Sequence, residues 1–466
     1  MPASRNRTAP FDKSRVELRL YCHGLGDCHL VGLPADDGTT AWVMIDCGIH
    51  TSMPGGPGLV AAVAKDVESV TGGKLLAIAG THEHWDHNSG FHPSAKLFNH
   101  FEVGNVWFAW TENPADKQGQ QLDKFKEEAV DTLALAQAKM PKSPEYVALG
   151  AAIGSILGFF GRDDQMFGIK GQESRAARNN LRVLSKSQPP AYLEPGEVIN
   201  IPGVSKVRCY VLGPPRDAKL LRLLDSDALT YRLDGVDPVL SALRSSLEKR
   251  APEDDPQSPF DGDEGEDFSA VREKTAFLID HYANEPSRTI DHDWMQSACD
   301  LALQLDSKTN NTSLVLAFEI IDSGHVLLFA ADAQVGNWSS WEHVKFPAAP
   351  GRPAVTGAEL LSRTVFYKVG HHGSRNATAS KGGLELMTRL EVAFNPTNEV
   401  MAKNVHWNDI PAIKLNEELE RRTNRRLIQS DRDWIGDSSQ PIPIAKGGAL
   451  VDVRRETGPS IVCVFE

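Results

Sequence analysis

The chain has 466 residues, 41% hydrophobic and 24% charged, ordinary globular proportions that exclude a mainly disordered, collagenous or coiled-coil protein and allow two or three domains at about 150 residues each. Forty-nine basic residues against 62 acidic ones give a net charge of -13, a field that repels polyanions unless a local basic groove offsets it. No apolar run reaches the roughly 17–25 residues of a membrane span, the start MPASRNRTAPFDKSR lacks a secretory core, and the six cysteines form no CxxC pair, so a cytoplasmic protein with reduced thiols is expected.

Polar and apolar residues alternate over Val16–Tyr21, and strand-like runs follow at 28–33 and 41–45 around the turn formers Asp36, Asp37 and Gly38, which predicts an antiparallel opening. Helical spacing over 59–70 follows a breaker cluster at 54–58, and an apolar strand at 74–79 runs into a histidine cluster. From Glu102 to about Gly203 the pattern turns mostly helical and reads as an insertion. Its apolar stretch 147–161 carries Gly150, Gly154 and Gly158 at four-residue spacing, a smooth helix face suited to a lid or to self-association and too short to span a membrane. A strand at 207–212 ends in Gly213-Pro214-Pro215, and a second helical block runs to about Ser307. Within that block, 252–267 holds eight acids and three prolines in sixteen residues, the composition of a solvated linker. Discounting it leaves the remainder much closer to neutral. A hairpin is predicted from 313–321 and 325–331, then a strand at 364–369 ending in Gly370-His371-His372-Gly373, and a helix at 411–424.

The strongest chemical signal is Thr81-His82-Glu83-His84-Trp85-Asp86-His87, where a strand gives way to a loop. Imidazole nitrogens with a carboxylate suit zinc and tolerate manganese or iron. Residues two apart in an extended loop share a side, so His82 and His84 reach one ion while Asp86 and His87 reach a neighbour, and two ions fit better than one. Asp27 and Asp46 read either as hydrogen-bond partners orienting ligand histidines or as turn carboxylates. Ser374 and Asn376 suit a substrate phosphate or carboxylate, or simply a turn. Arg421, Arg422, Arg425 and Arg426 cluster at a predicted helix C-terminus, where they complement the dipole or offer a nucleic-acid patch. No GxxxxGK[ST] or strand-associated GxGxxG is present, so nucleotide work of those kinds is unsupported.

His82, His84, Asp86 and His87 match the HxHxDH motif of the metallo-β-lactamase-fold hydrolases, which the chain resembles. Ile45-Asp46-Cys47-Gly48 is similar to their early Asp-Gly turn, and Phe329-Ala330-Ala331-Asp332-Ala333 to the segment bearing their metal-bridging Asp. Gly24-Leu25-Gly26-Asp27, the run 311–316 and Lys368-Val369-Gly370-His371-His372-Gly373-Ser374 resemble the soluble hydrolase domain of ComEC-type competence proteins, without the membrane channel.

The resemblance implies an α+β fold, a four-layered αββα sandwich with two large, mostly helical insertions. Its core halves are 15–100 and 310–466 with a core strand at 207–215, and the insertions are 101–206 and 216–309. It further implies His82 and His84 on one ion, Asp86 and His87 on the other, Asp332 bridging, and a histidine of the His-His-Gly-Ser turn closing the second site. His372 is favoured for that place, with His371 as a substrate or supporting group. A histidine found on a middle strand in many members is missing at 211–215; His100, His281, His292 and His406 are the substitutes, His406 the best placed. The implied activity is hydrolysis by metal-activated water, with two zinc ions, or manganese or iron. Asp86 would orient or deprotonate the water, and His371 or His406 would serve the leaving group. A phosphodiester, of nucleic acid or of a small molecule, is the leading substrate; amides, lactones and thioesters are the enzymatic alternative, and a binding component with a structural metal site is the non-catalytic one.

Overall fold

Val16, Leu18 and Leu20 of β1 (Val16–Tyr21) alternate onto one buried face while Tyr21 joins the cluster on the other, as a period-two strand requires. The computed structural model describes residues 14–140, 144–161, 173–223, 243, 247, 294–404, 407, 409–432, 444, 446–456 and 458–466. β2 (Cys28–Pro34) and β3 (Thr40–Cys47) pair antiparallel in series with β1, so the expected opening is present. Helix α1 (Gly56–Thr71) follows, bracketed by Gly55 at φ 71° and Gly72 at φ 65°, and leads into β4 (Lys74–Gly80), parallel to β3, and then the single turn α2 (Trp85–Asn88).

The block read as mostly helical from residue 101 is narrower than expected. It contains α3 (Lys117–Lys139), α4 (Pro144–Gly158) and α5 (Glu173–Arg182), but it opens with β5 (Glu102–Ala109) and closes with β6 (Ala191–Leu193) and β7 (Val198–Ile199). β5 is buried on both faces, Val106 and Phe108 on one and Trp107 and Ala109 on the other, so its amphipathic signal is weak and the long helices after it dominate the pattern. The remaining strands are β8 (Val207–Gly213), β9 (Val315–Ile320), β10 (His325–Phe329), β11 (Lys345–Phe346), β12 (Val355–Thr356), β13 (Thr364–Lys368), β14 (Val392–Asn395), β15 (Leu427–Gln429), β16 (Leu450–Arg455) and β17 (Ser460–Phe465).

Among the described residues the strands form two large sheets, ordered β16-β17-β1-β2-β3-β4-β5-β6 and β15-β14-β13-β10-β9-β8-β7, with β11-β12 as a separate pair. One core cluster joins them: Leu18, Val31, Ile45 and Ala79 of the first sheet pack with Val211, Phe318, Phe329 and Phe394 of the second. A second cluster combines the other face of the first sheet with Val60, Val63 and Val67 of α1. A third combines the other face of the second sheet with Trp338, Trp341, Leu360 and Leu419 from helices. The protein is thus of the α+β class, and the loops at the ends of β3, β4, β10 and β13 carry the residues of interest.

The described residues within 1–123, 158–226 and 307–466 form one compact unit, which holds both sheets; those within 124–157 and 227–306 form the other. Within the second unit, a Cβ on Gly154 would stand 2.6 Å from Gln137 Nε2 and one on Gly150 3.2 Å from Met140 Sδ, so side chains of the same chain occupy these two positions of the smooth face. The acidic stretch 252–267 lies outside the described residues. Among those described, no helix is long and apolar enough to cross a membrane.

Candidate metal centre

β4 delivers Thr81 and the motif behind it to the sheet end, and the Leu314 N–H donates to Thr81 O at 2.9 Å, tying the loop to the approach of β9. Thr81 donates from its backbone and its hydroxyl to Asp46, at 2.8 and 2.6 Å. Asp46 closes β3 at φ 56°, an uncommon backbone for a residue with a Cβ, and its Oδ2 lies 2.8 Å from His87 Nδ1. Gly48 lies flat against the motif: a Cβ there would come 2.3 Å from Asp86 C and 2.4 Å from His87 N. Gly48→Ala is therefore expected to push Asp86 and His87 out of place and to weaken zinc binding at least about tenfold, the lower end of what lost ligand orientation costs. Zinc titration of the folded variant checks this.

Three imidazoles present the same atom for the same reason. His87 Nδ1 is engaged by Asp46, His372 Nδ1 donates to Pro396 O at 2.7 Å, and His82 Nδ1 lies 3.1 Å from the Thr81 hydroxyl, whose proton is committed to Asp46. With Nδ1 engaged in this way, Nε2 is the nitrogen each ring can offer as a lone pair once it is neutral. His82 Nε2, Asp86 Oδ1 and both nitrogens of His84 have no hydrogen-bond partner, and His87 Nε2 and Asp332 Oδ2 have only each other, 3.1 Å apart. All of these residues are buried, at most 4% exposed. Buried polar atoms normally find partners, so this convergence of orphaned donors suits a cation.

Their ligand atoms group as His82 with His87 and Asp332, and as Asp86 with Asp332 and His372, each group within 4.8 Å. Asp332 belongs to both. The His84 ring lies 4.7 Å from that of His82 but outside these groups, and His87, expected beside Asp86, groups with His82 and Asp332. A third group, Asp27, Asp46 and His87, lies behind the first two. His371 and His372 occupy a tight turn, at φ 41° and 53°, rather than a strand. His372 Nε2 reaches Asp86 Oδ2 at 2.9 Å; His371 Nδ1 faces Ser374 Oγ at 3.1 Å and Gln334 Nε2 at 3.3 Å. Asn376 accepts from the Ser374 hydroxyl. His100 pairs with Glu68 on the surface, and Arg421 and Arg422 pair with Glu418 on their own helix. His281, His292 and His406 lie outside the described residues. At the site of the missing middle-strand histidine, Val211 and Leu212 are core residues.

Lys368 was not singled out from the sequence. It is buried, contacts Asp27 closely, and its ammonium lies 2.9 Å from Ala331 O and 3.3 Å from Asp332 Oδ1. A lysine interrupting the apolar run of β13 was the available signal. His371 N–H also donates to Asp332 Oδ1, at 2.9 Å, so Oδ2 is the oxygen that remains open. Arg178 of α5 was likewise unread: it donates to Glu83 at 2.9 Å, to Glu112 at 2.7 Å and to Asp123 at 2.8 Å, holding the motif from behind.

Electrostatics match the geometry. Burial, reinforced by neighbouring imidazoles, drives His82 and His84 well below the ordinary histidine range, leaving them neutral. Burial opposes ionisation of Asp86, yet His87 and His372 hold its carboxyl at about 2; His87 and Lys368 likewise keep Asp332 ionised. His87 is raised against the effect of burial by Asp332, Asp27 and Asp86, so without a metal it carries a proton. No family model matches the sequence, and no curated protein matches it.

Proposed function

We propose that the chain is a binuclear metallohydrolase acting on phosphodiesters, built as the four-layered αββα sandwich of the metallo-β-lactamase fold with helical insertions. The observation that carries this reading is the convergence of His82, His87 and Asp332, and of Asp86, Asp332 and His372, in two buried groups that share Asp332. His82, His87 and Asp332 would hold one cation and Asp86, Asp332 and His372 the other, with His84 a further donor beside His82. Four buried carboxylates, Asp27, Asp46, Asp86 and Asp332, face one buried ammonium, Lys368, an excess of three negative charges that favours bound cations. The donor set suits zinc and accommodates manganese or iron.

Such ions supply Lewis acidity, activating water near neutral pH and polarising the electrophile. Asp86, with Oδ1 open, orients the attacking water and accepts its proton. His371, the most exposed of these histidines and beside Ser374, serves the leaving group. Lys368 fixes Asp332 and offsets its charge.

Elemental analysis and turnover of bis(p-nitrophenyl) phosphate with added zinc or manganese test the proposal. Close to two ions per chain and metal-dependent hydrolysis are expected; a protein that binds no metal overturns it, and metal without diesterase activity moves the reaction to amides, lactones or thioesters. Zinc at a hundred times its dissociation constant is expected to add about 2.7 kcal/mol to unfolding stability. Because His87 is protonated in the metal-free site and must lose that proton to bind, affinity should rise with pH until His87 is neutral. Calorimetry in buffers of different ionisation enthalpy counts the proton released.

A further inference from the structure

Just past the motif, and outside the ligand groups, three side chains of the first unit stand in series. Ser94 Oγ lies 2.7 Å from His92 Nδ1, and His92 Nε2 lies 2.7 Å from Glu173 Oε2. With the Nε2 hydrogen directed at the carboxylate, Nδ1 accepts from the Ser94 hydroxyl. The same bond between a histidine and the serine two residues on recurs at His50 and Ser52, at 2.8 Å, so by itself it is a turn. Glu173 and the space in front of Ser94 make it more than that.

Glu173 opens α5, where a helix N-terminus favours a carboxylate, and its side chain is only 9% exposed. Helix α5 is tied to the segment that carries the histidine: Asn180 Nδ2 donates to Phe91 O at 2.8 Å, and Asn88 Nδ2 to Ser174 O at 3.1 Å. The Trp85 ring backs the imidazole at 5.7 Å and 61°. Base and carboxylate are thus held by packed elements, while Ser94 is exposed. Ser94 and His92 line a cavity of about 310 Å³ whose other walls include Ile49, Val60, Ala61, Trp85 and Leu97. That volume is at the low end for ligand pockets, and among the described residues no carboxylate, lysine or arginine lines it, which suits a small neutral molecule. A nucleophile held by a base, a base held by a third group and an apolar pocket at the nucleophile are the parts of a covalent acyl-transfer site.

We propose that Ser94, His92 and Glu173 form a second hydrolytic site, independent of metal, for neutral carboxylic esters with a short apolar acyl chain. Ser94 Oγ attacks the ester carbonyl carbon while His92 Nδ1 takes the hydroxyl proton. The bond from that carbon to the alkoxy oxygen then breaks, and His92 returns the proton to the leaving oxygen, releasing the alcohol. Water, losing a proton to the same Nδ1, attacks the acylated Ser94; the carboxylic acid departs and Ser94 regains its hydrogen. Glu173 is a positioning residue, which keeps Nδ1 turned to Ser94 and stabilises the imidazolium that forms. The cavity takes the acyl chain.

The test uses the full chain with zinc bound, and again after chelation with its circular dichroism retained. An alkyl fluorophosphonate is expected to label Ser94, as located by mass spectrometry, and p-nitrophenyl butyrate to be hydrolysed in both conditions. Ser94→Ala, at an exposed position, should abolish the label and lower kcat at least about a hundredfold, and His92→Gln should lower it by about 10²–10⁴, the range for a lost general base. Glu173→Gln should lower kcat at unchanged KM, a split that a merely structural role would not produce. Ala61→Phe, which fills the cavity, should raise KM for the butyrate more than for the acetate. No label at Ser94, or wild-type turnover in Ser94→Ala, overturns the proposal. Hydrolysis that stops on chelation belongs to the metal centre and overturns it as well.

Discussion

Replacing Asp332 by asparagine is expected to reduce bound zinc from about two ions per chain to one or fewer, and to lower diester turnover by more than the roughly 10–100-fold that loss of an outer hydrogen-bonding partner costs. The reasoning starts from the carboxylate's neighbours. Lys368 and the His371 N–H take Oδ1, at 3.3 and 2.9 Å, which leaves Oδ2 facing His87, and Asp332 is the residue shared between the two ligand groups. An amide in that position keeps one acceptor, loses the charge, and turns either its NH2 or its weaker carbonyl toward His87 Nε2, now 3.1 Å from Oδ2. Asp86→Asn should separate binding from chemistry. His82, His87, Asp332 and His372 still hold metal, so occupancy falls less, while turnover drops by about 10²–10⁴, the range for a lost general base. Metal content and turnover measured on the same samples decide the matter: wild-type rates in Asp86→Asn would sink its role, and wild-type zinc content in Asp332→Asn would sink the shared ligand.

Arg178→Met should be the most destabilising single change behind the site, by about 3–5 kcal/mol, the usual consequence of removing one partner from a buried ionic cluster. Glu83 and Glu112 are only 2% and 4% exposed and both depend on the Arg178 guanidinium. Burial alone would lower the arginine's proton affinity, but Glu83, Glu112 and Asp123 raise it, so the cation is secure in the folded state. Because Glu83 stands between His82 and His84, the damage should extend to zinc affinity. Urea unfolding of the metal-free protein reads the first effect and zinc titration the second. Adding Glu83→Gln and Glu112→Gln to Arg178→Met should recover part of the stability, since two buried charges that have lost their nearest cation vanish with them. No recovery would mean that Arg178 acts through packing rather than charge.

What the sequence disclosed depends on range. β1 to β4 and the hairpin β9–β10 were legible because alternation and turn residues act locally. The motif from His82 to His87 was legible because ligands within one loop are neighbours by construction. Asp332 and His372 lie far along the chain and were found only through resemblance, since nothing in their local composition marks them as partners of Asp86. β5 was lost under the helical pattern behind it. Lys368 and Arg178 escaped for a common reason: a buried cation is written as one ordinary basic letter, and its meaning lies in the carboxylates that the fold brings to it. Phe159, Phe160 and Trp407 carry no local mark either; their contacts with His84 and His372 exist only in the fold.

The place of β17 between β1 and β16 bears on how the protein is made. β1 to β4, which lead to Asp27, Asp46 and the motif from His82 to His87, leave the ribosome early, yet the free side of β1 is covered only when residues 460–465 arrive to pair Val16 with Phe465 and Leu18 with Cys463. From the synthesis of β1 until that of β17 the nascent chain therefore displays an apolar strand with one row of unpaired amides and carbonyls, a template for pairing with other chains. Yield in a heterologous host should respond to elongation rate and chaperone supply more than to the final stability of the product.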